Sequence, residues 1–195
     1  MRNSLSLIVI LVSVLLVTGC GDDFYRHSGK YDEEYFNKMI TAIESRDKES
    51  IRALFAEDVK EKSDDLDIGI QEILTLYQGR MVSCNKTASE TEADTNGYKH
   101  KYSVYSITTD TNEEYCISYL YQAGGKKSEE GFRYIAMCRE ENADDLDVMV
   151  TYSKYEGAYA YCSDEAKKRI NKKLEDSGFD FEEFAKEIKE IRGEK

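Results

Sequence analysis

The sequence predicts a single α+β domain, and two changes of rhythm along the chain carry that prediction. Apolar residues recur at helical spacing as far as Tyr77. From Met81 they alternate with polar residues at a period of two, and from Ser163 helical spacing returns. N-terminal helices packed on an antiparallel sheet, with additional C-terminal helices, are the architecture this order implies.

The elements follow in chain order. A first helix is expected from about Asp32, because Tyr35, Phe36, Met39, Ile40 and Ile43 form one stripe. Ser45-Arg46-Asp47 interrupts it, and a short second helix turns Ile51, Leu54 and Phe55 inward. A charged loop then leads to a third helix with the apolar face Leu66, Ile70, Ile73, Leu74 and Tyr77. Asp64 or Asp65 is placed to cap it, and Gly79 stands where a helix ends left-handed. Four strands are expected at about 81–90, 100–109, 114–123 and 132–140, joined as a meander by loops rich in Asn, Gly, Asp, Thr and Lys. Residues 148–152 and 157–162 are further strand candidates. Ser163 caps a helix carrying Ala166, Ile170 and Leu174 that stops at Gly178. Asp180 and Glu183 have capping-box spacing for a last helix with Phe181, Phe184, Ile188 and Ile191 on one face.

Upstream of the domain the chain reads as an export signal. Arg2 precedes an apolar stretch from Leu5 to Val17 of about 13 residues, too short to span a ~30 Å hydrocarbon core as a helix. It ends Leu16-Val17-Thr18-Gly19-Cys20, which resembles the bacterial lipobox. That resemblance implies that residues 1–19 are removed and that Cys20 becomes the lipidated first residue of the mature protein. The acyl chains, palmitate among them, would anchor it to the extracytoplasmic face of the cell membrane. Each buried CH₂ adds ~0.8 kcal/mol of membrane affinity, so two or more chains hold stably where one would not. Residues 20–30 hold Gly, Asp, Ser and charge with no periodicity and read as the lipidated cysteine and a tether. The domain itself is expected at 31–162, with a helical extension at 163–195.

Charge excludes one class of partner. The net charge is −12, and the leader contributes only Arg2, so the exported chain is one unit more negative. Such a surface repels phosphate backbones, which argues against nucleic acid and against electrostatic adhesion to anionic lipid. Tyrosine is frequent, 15 residues, while tryptophan and proline are absent; tyrosine-rich alternation suits half-exposed strands.

Helices followed by a curved antiparallel sheet resemble the nuclear-transport-factor-2-like (SnoaL-like, cystatin-like) fold, a cone of helices and sheet. The segment Met39 to Val59, an apolar stripe, then Ser45-Arg46-Asp47, then Ile51 to Phe55, looks like its opening helices. Over roughly residues 31–140 the chain is similar to the lipoprotein family DUF5104. The fold hosts isomerases, dehydratases and pure binding modules, so the resemblance implies no activity, and no catalytic residue carries over from it.

The candidate sites are few. With Cys20 lipidated, Cys84, Cys116, Cys138 and Cys162 remain, which allows three complete pairings. A hairpin symmetric about Lys127 sets Ala123 opposite Gly131 and Cys116 opposite Cys138, near disulfide reach; a bridge and a pair of buried thiols both fit. Neither histidine has metal-ligand spacing to a cysteine, and no metal or cofactor is expected. Asp64-Asp65-Leu66-Asp67 and Asp144-Asp145-Leu146-Asp147 do not match a calcium loop and read as solvated loop and cap.

The same register divides the sheet into two faces. One carries His100, Tyr102, Val104, Ser118, Leu120, Gln122, Phe132, Tyr134 and Ala136. Its mix of small residues and polar tips suits a ligand concavity, with His100, Tyr102, Gln122 and Tyr134 as lining, and it also suits a partly wet sheet face. The other carries Tyr105, Ile107, Ile117, Tyr119, Ile135 and Met137 and reads as core. Gly124-Gly125-Lys126-Lys127 is a hairpin loop rather than a phosphate loop. Three functions remain open. The first is a non-enzymatic, surface-anchored domain binding an unidentified protein or small molecule. The second is a SnoaL-like small-molecule enzyme working in the cone. The third is glycan or cell-wall binding through exposed tyrosines.

Overall fold

In a computed structural model of the chain, residues 23–93, 97–143, 156–160 and 162–176 are described. They form five helices and five strands: α1 (Asp23–Glu44), α2 (Lys48–Ala53), α3 (Glu57–Lys62), α4 (Leu66–Leu76), β1 (Met81–Ala93), β2 (Lys99–Thr109), β3 (Glu114–Ala123), β4 (Gly131–Arg139), β5 (Gly157–Ala160) and α5 (Asp164–Asp176). The sheet is open and ordered β1-β2-β3-β4-β5. All pairings are antiparallel except β4 with β5, which is parallel. No helix among the described residues is long and apolar enough to cross a membrane.

The stripe expected on α1 is buried through Phe36, Met39, Ile40 and Ile43. The helix itself begins at Asp23, about two turns before the expected start, so residues 23–30 are helical rather than a loose tether. Polar residues without proline do not forbid a helix; they only hide it from a reading based on apolar period. Arg46 takes a positive φ of 58° at the break. Asp47 then caps α2, accepting from the amide of Ser50 at 3.0 Å. The loop expected before Leu66 contains α3, a single-turn helix anchored by buried Val59 and edged by Glu57–Lys60 and Asp58–Lys62 pairs. Asp65 stands at the N-cap position of α4, but its side chain makes no cap bond. Its carboxylate pairs instead with Arg169 and with Lys173 at 2.7 Å, both on α5.

Two glycines set how closely the layers approach. A Cβ at Gly69 would overlap the carbonyl of Ala158, so α4 lies directly against β5. Gly131, at φ 138°, passes against the backbone of Leu54 and Ala56. There the turn between α2 and α3 pairs with β4, Phe132 N donating to Leu54 O at 3.0 Å and Ala56 N to Phe132 O at 3.2 Å.

The expected hairpin register holds from Tyr115↔Arg139 to Leu120↔Tyr134 and then slips by one residue, so Gln122, not Ala123, faces Gly131. Arg133 is the extra residue of the bulge. It is used as a clamp: its guanidinium bonds both oxygens of Asp58, at 2.7 and 2.9 Å, and also reaches Glu156. The slip moves Phe132 from the face where simple alternation puts it to the helix side, where it is fully buried. The main core lies between α1–α4 and the sheet; Tyr105, Ile107, Ile117, Tyr119, Ile135 and Met137 form its sheet side. A smaller cluster on the opposite face joins Val104, Cys116, Tyr134, Ala136 and Cys138 to Tyr159 of β5 and Ile170 of α5. Ser163 Oγ caps α5, accepting from Ala166 N at 3.1 Å. The strand expected at 148–152 and the last helix from Asp180 lie outside the described residues.

Candidate functional site

The densest polar arrangement is built around Asp32. It stands on the buried stripe of α1, one turn before Phe36, and its side chain is wholly inaccessible to solvent. Oδ1 accepts from Ser103 Oγ at 2.7 Å and from the Tyr119 hydroxyl; Oδ2 accepts from the Tyr105 hydroxyl at 3.1 Å and from Lys86 Nζ at 2.6 Å. The Tyr119 hydroxyl also lies 3.2 Å from the Asp32 carbonyl. Lys86 reaches in from β1 across the ring of Tyr105, 5.4 Å from its centroid. Burial alone would raise the Asp32 carboxyl, but hydrogen bonds from Lys86, Tyr119 and Ser103 outweigh it and hold the group below its ordinary value. The same burial pushes the Tyr105 phenol up to about 12 and raises Tyr119 further. A carboxylate offers about four acceptor sites, and here four donors occupy them. Asp32 is therefore an ionised anchor joining α1 to three strands, with no lone pair left to take a substrate proton.

Rings fill the space around it. Phe36 stacks on Tyr105 at 3.9 Å, Tyr119 meets Phe132 edge-on at 5.1 Å, and Tyr77 stacks on Tyr115 at 5.1 Å. The open recesses lie outside this core. One of about 640 Å³ runs along the outer side of α1 past Glu34, Thr41 and Asp47. A second of about 560 Å³ lies between α1, α2 and the β3–β4 loop. They share Lys38, Ala53 and Leu54 and so form one groove. At its floor Tyr35 and Tyr121 stack at 3.8 Å with their hydroxyls 2.6 Å apart.

His100, Tyr102, Gln122 and Tyr134 share a face, as strand alternation requires, and it is the face turned away from α1–α4. His100 pairs with Gln122, and Tyr102 with Leu120, which pairs in turn with Tyr134. They therefore cannot line a space between those helices and the sheet. Ser118 Oγ and Tyr134 OH are buried on this face and face each other at a geometry short of a hydrogen bond. Cys116 and Cys138 are directly opposed on the same face, both buried; the Cys138 thiol donates to Asn142 O at 3.4 Å. Cys84 is exposed on β1 and Cys162 half-buried. The first acidic run is matched by cations, Asp65 as above and Asp67 by Arg52 at 3.0 Å; the second run, and Cys20, lie outside the described residues.

Asp32, Lys86, Ser103 and Tyr119 escape a motif search because they come from four separate elements. One signal pointed to them. Asp32 extends the stripe of Phe36, Met39 and Ile43 by a turn, so the helix faces a carboxylate inward, toward a sheet face that carries Ser103, Tyr105 and Tyr119 at alternate positions.

These features define a class: an α+β domain with four helices on one side of an open, mostly antiparallel five-stranded sheet, whose buried acid is fully bonded. The chain belongs to the family described as a domain of unknown function, DUF5104, whose profile matches residues 38–140. The match runs from within α1 to the end of β4; it includes Lys86, Ser103, Tyr105 and Tyr119 and begins just after Asp32. No curated protein matches the chain.

Proposed function

We propose that this chain is a lipid-anchored extracytoplasmic protein whose nuclear-transport-factor-2-like domain, extended by C-terminal helices, acts by binding a protein or small molecule rather than by catalysis. The observation that carries the binding reading is the saturation of Asp32 inside an aromatic-filled core. A SnoaL-like enzyme needs a general acid or base facing a space a substrate can enter, and the buried acid here is committed to Lys86 and three hydroxyls. The anchor rests on the charged start, the apolar stretch and the lipobox-like end at Cys20.

Two experiments test the two halves. Cys20→Ser should move the protein from the membrane fraction to the soluble one; retention on membranes through a high-salt wash would overturn the anchor. Small organic ligands should not compete with the core. A ligand whose affinity falls at least tenfold in Tyr119→Phe, with folding intact, would put a substrate in the cone and restore the enzyme reading.

A further inference from the structure

Lys101 is a buried cation that makes no direct ion pair among the described residues. It is only 8% exposed, on the helix side of β2. Its hydrogen bond is to a neutral group, Nζ donating to Thr91 Oγ1 at 3.0 Å, and none of the ion pairs among the described residues includes it. The nearby carboxylate, Asp32, already holds Lys86 at 2.6 Å. Asp32, Lys86 and Lys101 together thus carry one surplus positive charge, enclosed in a chain of net charge −12. A buried ammonium with unused donors is costly unless something accepts from them. Among the described residues the neighbouring groups are neutral hydroxyls, which can donate to an anion as well as accept from the ammonium. In the β1–β2 ladder Thr91 pairs with Lys101 and Ser89 with Ser103, which brings two hydroxyls to the same face. This side of the site is open: Ser89 is exposed, Thr91 half-buried, and the Lys86 side chain is 31% accessible.

We propose that this strip of β1 and β2 binds a small oxyanion, a phosphate, sulfate or carboxylate. Lys101 is its principal charge, Thr91 and Ser89 are hydroxyl donors, and Lys86 lies at its flank. Asp32 orients Lys86 and, already neutralised by it, does not repel the ligand. Burial, opposed by Asp32 and reinforced by Lys86, pushes the Lys101 ammonium below its ordinary value; a bound anion relieves that pressure. The site is independent of whether the domain binds or catalyses elsewhere.

Thermal unfolding of the purified protein, with chloride exchanged for phosphate at constant ionic strength, tests the site. Phosphate also stabilises proteins generally by exclusion from their surfaces, so the decisive quantity is the difference between variants. At phosphate ten times the dissociation constant, the wild type should gain roughly 3–6 °C more than Lys101→Gln. Lys126→Gln, an exposed loop lysine, should behave as wild type. Equal gains in wild type and Lys101→Gln would overturn the site. Should Lys101→Gln not fold, a phosphate titration of the wild-type lysine side-chain resonances decides: Lys101 should shift and saturate, and an unmoved Lys101 signal would overturn the proposal.

Discussion

The two faces of the sheet are stabilised in different ways. Around Asp32 on the helix side, apolar rings pack continuously and both carboxylate oxygens have donors, so burial and hydrogen bonding reinforce each other. On the far side the cluster is smaller, two hydroxyls are buried without partners, and two thiols stand opposed. The same strands serve both faces, so the contrast comes from their side chains and from the helices packed on each. A satisfied buried network fixes one arrangement, whereas unsatisfied groups carry a penalty that a substitution, a bond or a ligand can remove.

The largest expected effect tests the first half of that contrast. Asp32→Ala leaves Lys86 and three hydroxyls without their acceptor and should lower stability by about 3–5 kcal/mol in urea unfolding, the usual consequence of removing one partner from a buried ion pair. A loss below ~1 kcal/mol would show that the network is ornamental. The pH dependence has a definite sign. Asp32 is held below its ordinary 3.8, so its contribution is complete above that value and is lost as the pH falls through the lower folded value. Asp58 and Asp65 are depressed in the same direction, against the cost of their burial, by Arg133 and by Lys173 with Arg169. Acid unfolding should therefore begin below pH ~4 and be blunted in Asp32→Ala.

A middle effect sharpens the far side. Protein recovered under oxidising conditions should contain a Cys116–Cys138 bridge on peptide mapping. The loop it closes, about 22 residues, corresponds to a stabilisation of about 3 kcal/mol that a reductant removes. Unbridged thiols, reactive only after unfolding, would show that this face keeps its cysteines reduced. The smallest effect is on the same face. Ser118→Ala should change stability by less than ~1 kcal/mol, in either direction, because it deletes a hydroxyl that has no partner to lose. A loss above ~2 kcal/mol would reveal a hydrogen bond that the geometry does not contain.

The fold was legible where one period dominated. The strands at 81–93, 99–109, 114–123 and 131–139 fall close to their expected places, because loops rich in turn residues bound each run. What escaped was set by contacts between distant segments. The slip at Arg133 answers to Asp58 and Glu156, not to local alternation, and it carried Phe132 to the other face. The parallel edge of β5 depends on Gly69 letting α4 approach Ala158. The site was less legible still. The alternation that correctly grouped His100, Tyr102, Gln122 and Tyr134 does not say on which side of the sheet the helices settle. The Asp32 network needed one helix and three strands to be assembled before it existed.

The extent of α1 bears on the proposed anchor. A ten-residue flexible leash would average roughly 17 Å and let the domain swing through many orientations. The chain is already helical at Asp23, the first described residue, and three residues span at most ~10 Å, so Cys20 lies within that reach of it. The nine residues from Asp23 to Tyr31 add about 13 Å of helix at 1.5 Å per residue. Asp32 lies where that stretch enters the domain. On the proposed anchoring, a pull at the N-terminus would reach the sheet through α1 and the bonds of Asp32 to Ser103, Tyr105, Tyr119 and Lys86.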